Sequence, residues 1–332
     1  MTVAVKEILA GNVQAAARLM RDLDDEIPAA HRALKRLYRH TGRAYILGVT
    51  GAPGAGKSTL VDCLAGHFRQ QGKTIGIVAI DPTSPFTGGA ILGDRIRMQK
   101  HALDDDVFIR SLATRGHMGG LSKSTIDIVN VMDAMGKEVI LIETVGVGQD
   151  EVEIVKVAHT NLVLVVPGLG DDIQAMKAGI LEIADIFVVN KADRDGADKT
   201  RRELETMVSM NDYGEGDWRP TVLPTVAPEG IGVEALMEEV ERHRNHVSRE
   251  ENLSRYRLGK AEVELHEILR KKLFEKAVAD LRGHGLLESL VRDIAEKKRD
   301  PYTVAEKVID HRFEHRFLEA ESKGSGKRGR GK

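Results

Sequence analysis

The chain has 332 residues, 42% of them apolar but only 4% aromatic, and a formal net charge of −2. That length suffices for one large α/β domain with helical additions and a core built mainly from Val, Ile, Leu, Ala and Met, while the near-neutral charge argues against nucleic acid as a partner. The one cysteine, Cys63, excludes an intramolecular disulfide and a cysteine-rich metal site.

Residues 1–42 read as helical. Ile8, Leu9, Val13, Ala16, Ala17, Met20 and Leu23 recur at helical spacing; Pro28 breaks the pattern, Leu34 and Leu37 resume it, and Gly42 stops it. The acidic residues Glu7, Asp22, Asp24, Asp25 and Glu26 do not suit a transit peptide, and no signal-peptide core precedes them. No apolar run approaches the ~20 residues that span a bilayer. The expected home is the cytoplasm, with no membrane partner.

From 45 to about 227 short β-branched runs alternate with helical stretches. The runs are Tyr45–Thr50, Thr74–Ile80, Val107–Ile109, Glu138–Ile142, Asn161–Val166, Asp185–Val189 and Thr221–Val226. Several are apolar throughout, as strands buried on both faces of a parallel sheet must be. The pattern predicts an α/β fold with a doubly wound, mainly parallel sheet, its ligand at the carboxyl ends of the strands.

After about 232 the strand signals stop. Residues 233–279 read as helix, possibly one long helix, with Leu258, Val263, Leu265, Ile268, Leu269 and Leu273 as apolar positions. Gly283 and Gly285 mark a break. Two further helices are expected at Leu286–Lys298 and Thr303–Leu318, separated by Pro301. A helical tail of this length cannot bury its apolar stripe alone, so a homodimer is expected. The predicted division is an N-terminal helical extension (1–42), a P-loop G domain (43–232), a helical dimerisation region (233–320) and a disordered basic tail (321–332).

Two motifs carry the chemistry. Gly51-Ala52-Pro53-Gly54-Ala55-Gly56-Lys57-Ser58 follows a predicted strand and opens a predicted helix, the context a phosphate-binding loop requires. Its glycines let backbone N–H groups turn inward onto a β-phosphate. Lys57 brings charge to the β- and γ-phosphates, the Ser58 hydroxyl ligates Mg²⁺, and Thr59 reaches the α-phosphate. Asn190-Lys191-Ala192-Asp193 follows a later strand. There Asp193 accepts two hydrogen bonds from the guanine N1–H and 2-amino groups, and adenine would leave that carboxylate unpaired. Val226, Ala227 and Pro228 supply the loop that covers the base.

Between them lies Glu143-Thr144-Val145-Gly146-Val147-Gly148-Gln149. Glu143 stands where a second magnesium anchor belongs, and Gly146 can offer its N–H to the γ-phosphate. Val147 occupies the position of the glutamine that orients the attacking water in many G proteins, and Gln149 lies two residues on, so slow intrinsic hydrolysis is expected. Asp81 and Asp94 are further candidates for orienting magnesium waters or the nucleophile, with a helix cap or surface ion pair as the alternative. In the polar loop that follows, Arg115 reads as an ion-pair partner and His117 as a solvated side chain.

These residues resemble the MeaB/ArgK/MMAA family of P-loop GTPases, which chaperone adenosylcobalamin-dependent acyl-CoA mutases. The likeness runs through Gly51–Thr59, Asp81-Pro82-Thr83-Ser84, Gly88–Asp94, Ala113–Ser122, Glu143–Gln149, Asn190–Asp193 and Asp300-Pro301-Tyr302. It implies homodimers formed through the C-terminal helices and a client such as methylmalonyl-CoA mutase. It also implies GTP-gated delivery and rescue of adenosylcobalamin, a cofactor that belongs to the partner, and hydrolysis accelerated by that partner. By the same resemblance, residues 168–177 form a switch in which Asp171, Asp172 and Lys177 relay the partner's signal. Thr225-Val226-Ala227 departs from the family's usual pattern in the base loop, so contacts there are expected to be mainly backbone. Two other readings carry different signals. A nickel-insertion metallochaperone GTPase would bring His-rich or Cys-based metal motifs, and a P-loop kinase or transport ATPase would lack the guanine-selecting Asp193.

Overall fold

The structure is a computed structural model, and it describes residues 3–81, 101, 103–113, 123–144, 146, 154, 157–168 and 183–310. Two compact units divide at Lys260: Met1–Lys260 and Ala261–Lys332.

The first unit opens with three helices, α1 (Val3–Leu9), α2 (Val13–Asp24) and α3 (Pro28–Leu37). Asn12 caps α2 by accepting from the Ala15 N–H at 2.8 Å. Pro28, read from sequence as a breaker, instead opens α3 at its first position, where a missing N–H costs nothing. The following elements are β1 (Tyr45–Gly51), α4 (Lys57–Gln70), β2 (Ile75–Asp81), β3 (Val107–Ala113), α5 (Lys123–Ala134), β4 (Val139–Glu143), β5 (Thr160–Val165), β6 (Ile186–Asn190), α6 (Ala197–Ser209), β7 (Thr221–Thr225) and α7 (Val233–Val247).

The seven strands form one parallel sheet in the order β3-β2-β4-β1-β5-β6-β7. Strands β1, β2, β4, β5 and β6 are buried along their whole length, which explains their continuous apolar sequences. One sheet face packs Ile46, Ile140 and Ile142 under α1–α3 and α5. The other packs Leu47, Leu141 and Leu164 under α4 and α7. A third cluster sets Phe187 and Val189 against Leu204 and Val208 of α6. The N-terminal helices are therefore part of the core. Asp133 of α5 fixes their exit by accepting from three successive backbone N–H groups, Gly42, Arg43 and Ala44, at 2.5, 3.2 and 3.1 Å.

At the amino ends of the strands a buried polar chain braces α7. Tyr45 and His243 both bond the Thr160 hydroxyl, and His243 Nε2 lies 3.4 Å from Asp185, whose other oxygen accepts from the backbone and side-chain amides of Asn161. The Thr–His–Asp order copies a hydrolytic triad, but Thr160 and His243 are sealed from solvent, so the arrangement is structural.

The helical stretch read at 233–279, possibly as one long helix, is two helices. α7 ends at Val247, the chain turns at Ser248 and Arg249, and α8 runs Glu250–Gly283. Beyond Lys260 the second unit contains the rest of α8, α9 (Leu286–Ala295) and a helix over 301–310 (α10). Asp300 caps α10 by accepting from Thr303 N–H at 2.8 Å, with Pro301 at the first helical position.

Candidate functional site

β1 is the central strand: its sheet neighbours β4 and β5 diverge to either side, and the loop at its carboxyl end sits at the topological switch point. That loop is Gly51–Lys57. Gly56 holds φ +90°, and a Cβ there would collide with the Asn190 amide, so only glycine serves. Lys57 begins α4 and is 6% exposed, with its Nζ donating to the carbonyls of Gly51 (2.8 Å) and Ala52 (3.1 Å). The lysine is thus folded along the inner wall of the loop rather than out to solvent.

Ser58, next on α4, donates its hydroxyl to Glu143 Oε1 at 2.6 Å. Both are buried. Glu143 is the last residue of β4, and Asp81 is the last residue of β2, the strand hydrogen-bonded to β4. The sheet therefore delivers two carboxylates, and α4 one hydroxyl, to the same end as the loop. Such oxygen donors suit a hard divalent cation held by a few protein groups plus phosphate. Among the described residues no group of three or more His, Cys, Asp or Glu side chains forms a metal cage of its own.

Gly146 lies against the lysine. It holds φ +93°, and a Cβ there would strike Lys57 Nζ and come within 2.7 Å of the Gly51 carbonyl oxygen and 3.0 Å of Pro53 N.

The second motif is tied to the first by side chains. Asn190 Nδ2 donates to the Ala55 carbonyl at 2.7 Å, while its Oδ1 accepts from the Thr225 hydroxyl (3.1 Å) and the Ala227 N–H (3.3 Å). Lys191, at φ +58°, donates to the Gly54 carbonyl at 2.8 Å. Asn190 and Lys191 thus clamp the phosphate loop to the base loop, and Asp193 is left exposed in the turn that follows. The Val226 N–H closes the base loop onto the Ile231 carbonyl at 3.0 Å. From below, Cys63 of α4 donates its thiol to the Ala227 carbonyl at 3.0 Å.

Lys57, Ser58, Glu143 and Gly146 form one cluster; Asn190, Lys191, Val226 and Ala227 form a second around the same loop. Pro228 follows in the base loop and Thr59 is exposed on the first turn of α4. Asp94, Gln149, Asp171, Asp172 and Lys177 lie outside the described residues. In the base loop the Thr225 hydroxyl is taken up by Asn190 Oδ1. Sequence reading passed over Thr50 and Thr144, whose hydroxyls bond each other at 2.9 Å beneath the site.

A family model described as methylmalonyl-CoA mutase-associated GTPase MeaB matches residues 16–282. A putative GTPase of Pyrococcus abyssi is 46% identical over 92% of this chain and 94% of its own length. The mitochondrial methylmalonic aciduria type A homolog of Mus musculus is 31% identical over 69% of this chain and 56% of that one. Among solved structures, the crystal structure of a LAO/AO transport system kinase superposes with a TM-score of 0.69, covering 93% of this chain and 96% of that one at 21% identity, a likeness of fold.

Proposed function

The chain belongs to the MeaB family of methylmalonyl-CoA mutase-associated GTPases, and on that premise we propose that it hydrolyses GTP with Mg²⁺ to gate adenosylcobalamin loading and repair in a partner acyl-CoA mutase. The observation that carries the chemistry is the convergence of Lys57, Ser58 and Glu143 at the mouth of the phosphate loop.

The Ser58 hydroxyl and the Glu143 carboxylate, with Asp81 on the neighbouring strand, are the groups that would hold the magnesium ion. When bound, the ion supplies positive charge against the β- and γ-phosphate oxygens. Lys57 adds a second charge on the transferring phosphoryl group, and Gly146 offers a backbone N–H on the γ side. Water bonds to the γ-phosphorus as the β–γ bridging bond breaks. The electron pair stays on the bridging oxygen of GDP, one water proton stays on the released phosphate, and the other passes to solvent.

Asp193 accepts from guanine N1–H and the 2-amino group, while Asn190 and Lys191 keep its loop in register with the phosphate loop. With Val147 in place of a water-orienting glutamine, the chain alone turns over slowly and the partner completes the site. A homodimer through the C-terminal helices is part of this proposal, and its support is the exposed apolar series on α8 and α9.

The deciding measurement is GTP hydrolysis at fixed protein with and without a purified adenosylcobalamin-dependent acyl-CoA mutase. Severalfold stimulation, absent with Lys57→Ala, is the expected result. Intact GTP binding with no response to any such mutase would sink the client assignment and leave the GTPase.

A further inference from the structure

Two buried hydroxyls beneath the nucleotide site have no place in that mechanism. Thr50, the penultimate residue of β1, is 0% exposed, and Thr144, just past the end of β4, is 1% exposed. Thr144 Oγ1 donates to Thr50 Oγ1 at 2.9 Å. Side chains alternate along a strand, so Thr50 shares its face with Ile46 and Thr144 shares its face with Ile140 and Ile142. Those isoleucines belong to one apolar cluster. Valine has the shape of threonine and would fill the same space without a polar atom to bury. A hydroxyl in such surroundings is costly unless bonded, and once bonded it fixes a distance and a direction that two methyl groups do not.

What the bond fixes is visible in the chain neighbours. Thr50 precedes Gly51, whose carbonyl accepts from Lys57. Thr144 follows Glu143, which accepts from Ser58. The Thr144 N–H also donates to the Val49 carbonyl at 3.1 Å, extending the β1–β4 ladder one step beyond its last registered pair, Val49 and Glu143. Two residues on, Gly146 sits against Lys57, Gly51 and Pro53 with no room for a Cβ.

We propose that the Thr50–Thr144 hydroxyl pair is a positioning clamp for the γ-phosphate side of the site. It holds the end of β4 against the phosphate-loop strand, so that Glu143 keeps its place at Ser58 and Gly146 its place at Lys57. Thr144 is accordingly a positioning residue that touches neither nucleotide nor metal. The GDP moiety depends on the phosphate loop itself, while the γ-phosphate depends on the clamp. This inference rests on the GTPase reading.

The test uses the full chain carrying Thr144→Val, Thr50→Val, both together, and Thr144→Ser. GDP affinity, affinity for a non-hydrolysable GTP analogue with Mg²⁺, and kcat are measured for each. Thr144→Val should keep GDP affinity within about twofold while losing about tenfold in both kcat and the preference for the GTP analogue over GDP. Thr144→Ser, which keeps the hydroxyl, should behave as wild type. The double variant should be no worse than the more impaired single, because removing both partners leaves no orphaned hydroxyl. Wild-type kcat and analogue preference in Thr144→Val would overturn the clamp. So would a Thr144→Ser as impaired as the valine, or losses that add in the double variant. A wild-type chain that neither binds nor hydrolyses GTP would overturn the GTPase reading instead, and this shows before any variant is made.

Discussion

Asn190 ties the two loops together: its amide nitrogen donates to Ala55, and its carbonyl oxygen accepts from Thr225 and Ala227. In the proposed GTPase, base selection is assigned to Asp193, which is exposed in the same turn. A carboxylate there accepts from the two donors of guanine. An amide offers one donor and one acceptor, which suits xanthine, whose 2-position carries a carbonyl. Asp193→Asn is expected to weaken GTP binding by about 10²-fold or more and to bind XTP in its place, as competition between the two nucleotides would reveal. A different residue-scale effect lies at the amino ends of the strands. Burial pushes the Asp185 carboxyl up to about 7, against the hydrogen bonds from Asn161. Burial also pushes His243 down to about 4 and His159 to about 3, the latter helped by Lys260, Arg244 and Arg257. Native Asp185 holds a proton that the unfolded chain releases near pH 4, so it favours the fold at low pH and that contribution is lost as pH rises through 7. The two histidines have the opposite sign: each is neutral in the fold and protonated in the unfolded chain below about 6.5, so their contribution is lost on acidification. Asp185 and one histidine cancel between about pH 4 and 6.5. Asp185→Asn removes the cancelling partner. Its stability, followed by urea unfolding, should rise more steeply over that range, lack the wild-type fall near pH 7, and exceed wild type at pH 8 by about 1–3 kcal/mol.

At the scale of elements, one carboxylate decides how the N-terminal helices join the sheet. Asp133 is 6% exposed and takes the N–H groups of Gly42, Arg43 and Ala44 just before β1 begins. Asp133→Ala would strand three donors, and a loss of about 2–4 kcal/mol in urea unfolding is expected. Hydrogen exchange should quicken in α1–α3 while β1 and β4 stay protected; equal quickening throughout would mean that the junction is not the weak point. This contact also marks where sequence reading stops. The strands were legible to within a few residues at their ends, because a strand buried on both faces must be an unbroken apolar run, as Val139–Ile142 is. The phosphate loop and Asn190–Asp193 were legible because spacing alone carries their chemistry. The break after Val247 was not: Ser248-Arg249-Glu250 contains neither glycine nor proline, and the charged pattern runs on through it. Nor was the bond between Thr50 and Thr144. It exists only because β1 pairs with β4 in a register that sets Val49 beside Glu143, and nothing local to either threonine encodes that pairing.

At the scale of the whole molecule, the apolar surface of the C-terminal helices needs an owner. α8 has 34 residues, about 50 Å of helix. Leu265, Leu269 and Leu273 are 55%, 45% and 48% exposed. They recur every fourth residue, so their side chains follow one another along a single gently drifting face. Phe274 stands beside them, and Leu286 and Val291 on α9 are exposed as well. Single exposed leucines are ordinary on protein surfaces, but a continuous series is not, and water is a poor partner for it. Charged side chains surround the series, with Lys271 and Glu275 paired at 3.7 Å, the apolar-centre and polar-rim pattern of an association surface. Among the described residues no helix is long and apolar enough to cross a membrane. A second copy of the chain would match leucine to leucine across a two-fold axis, since an isologous interface uses the same patch twice. Placing charges at its centre by Leu269→Lys with Leu273→Lys should convert a dimer to a monomer, read as a halved mass in sedimentation equilibrium. These positions are already half exposed in the single chain, so its own fold has little to lose and thermal melting of the monomer should survive the change. An unchanged mass in that variant, or a wild-type chain that sediments as a monomer, would assign the stripe to the client mutase instead. In that case the same two substitutions should abolish the stimulation of GTP hydrolysis while leaving the intrinsic rate in place.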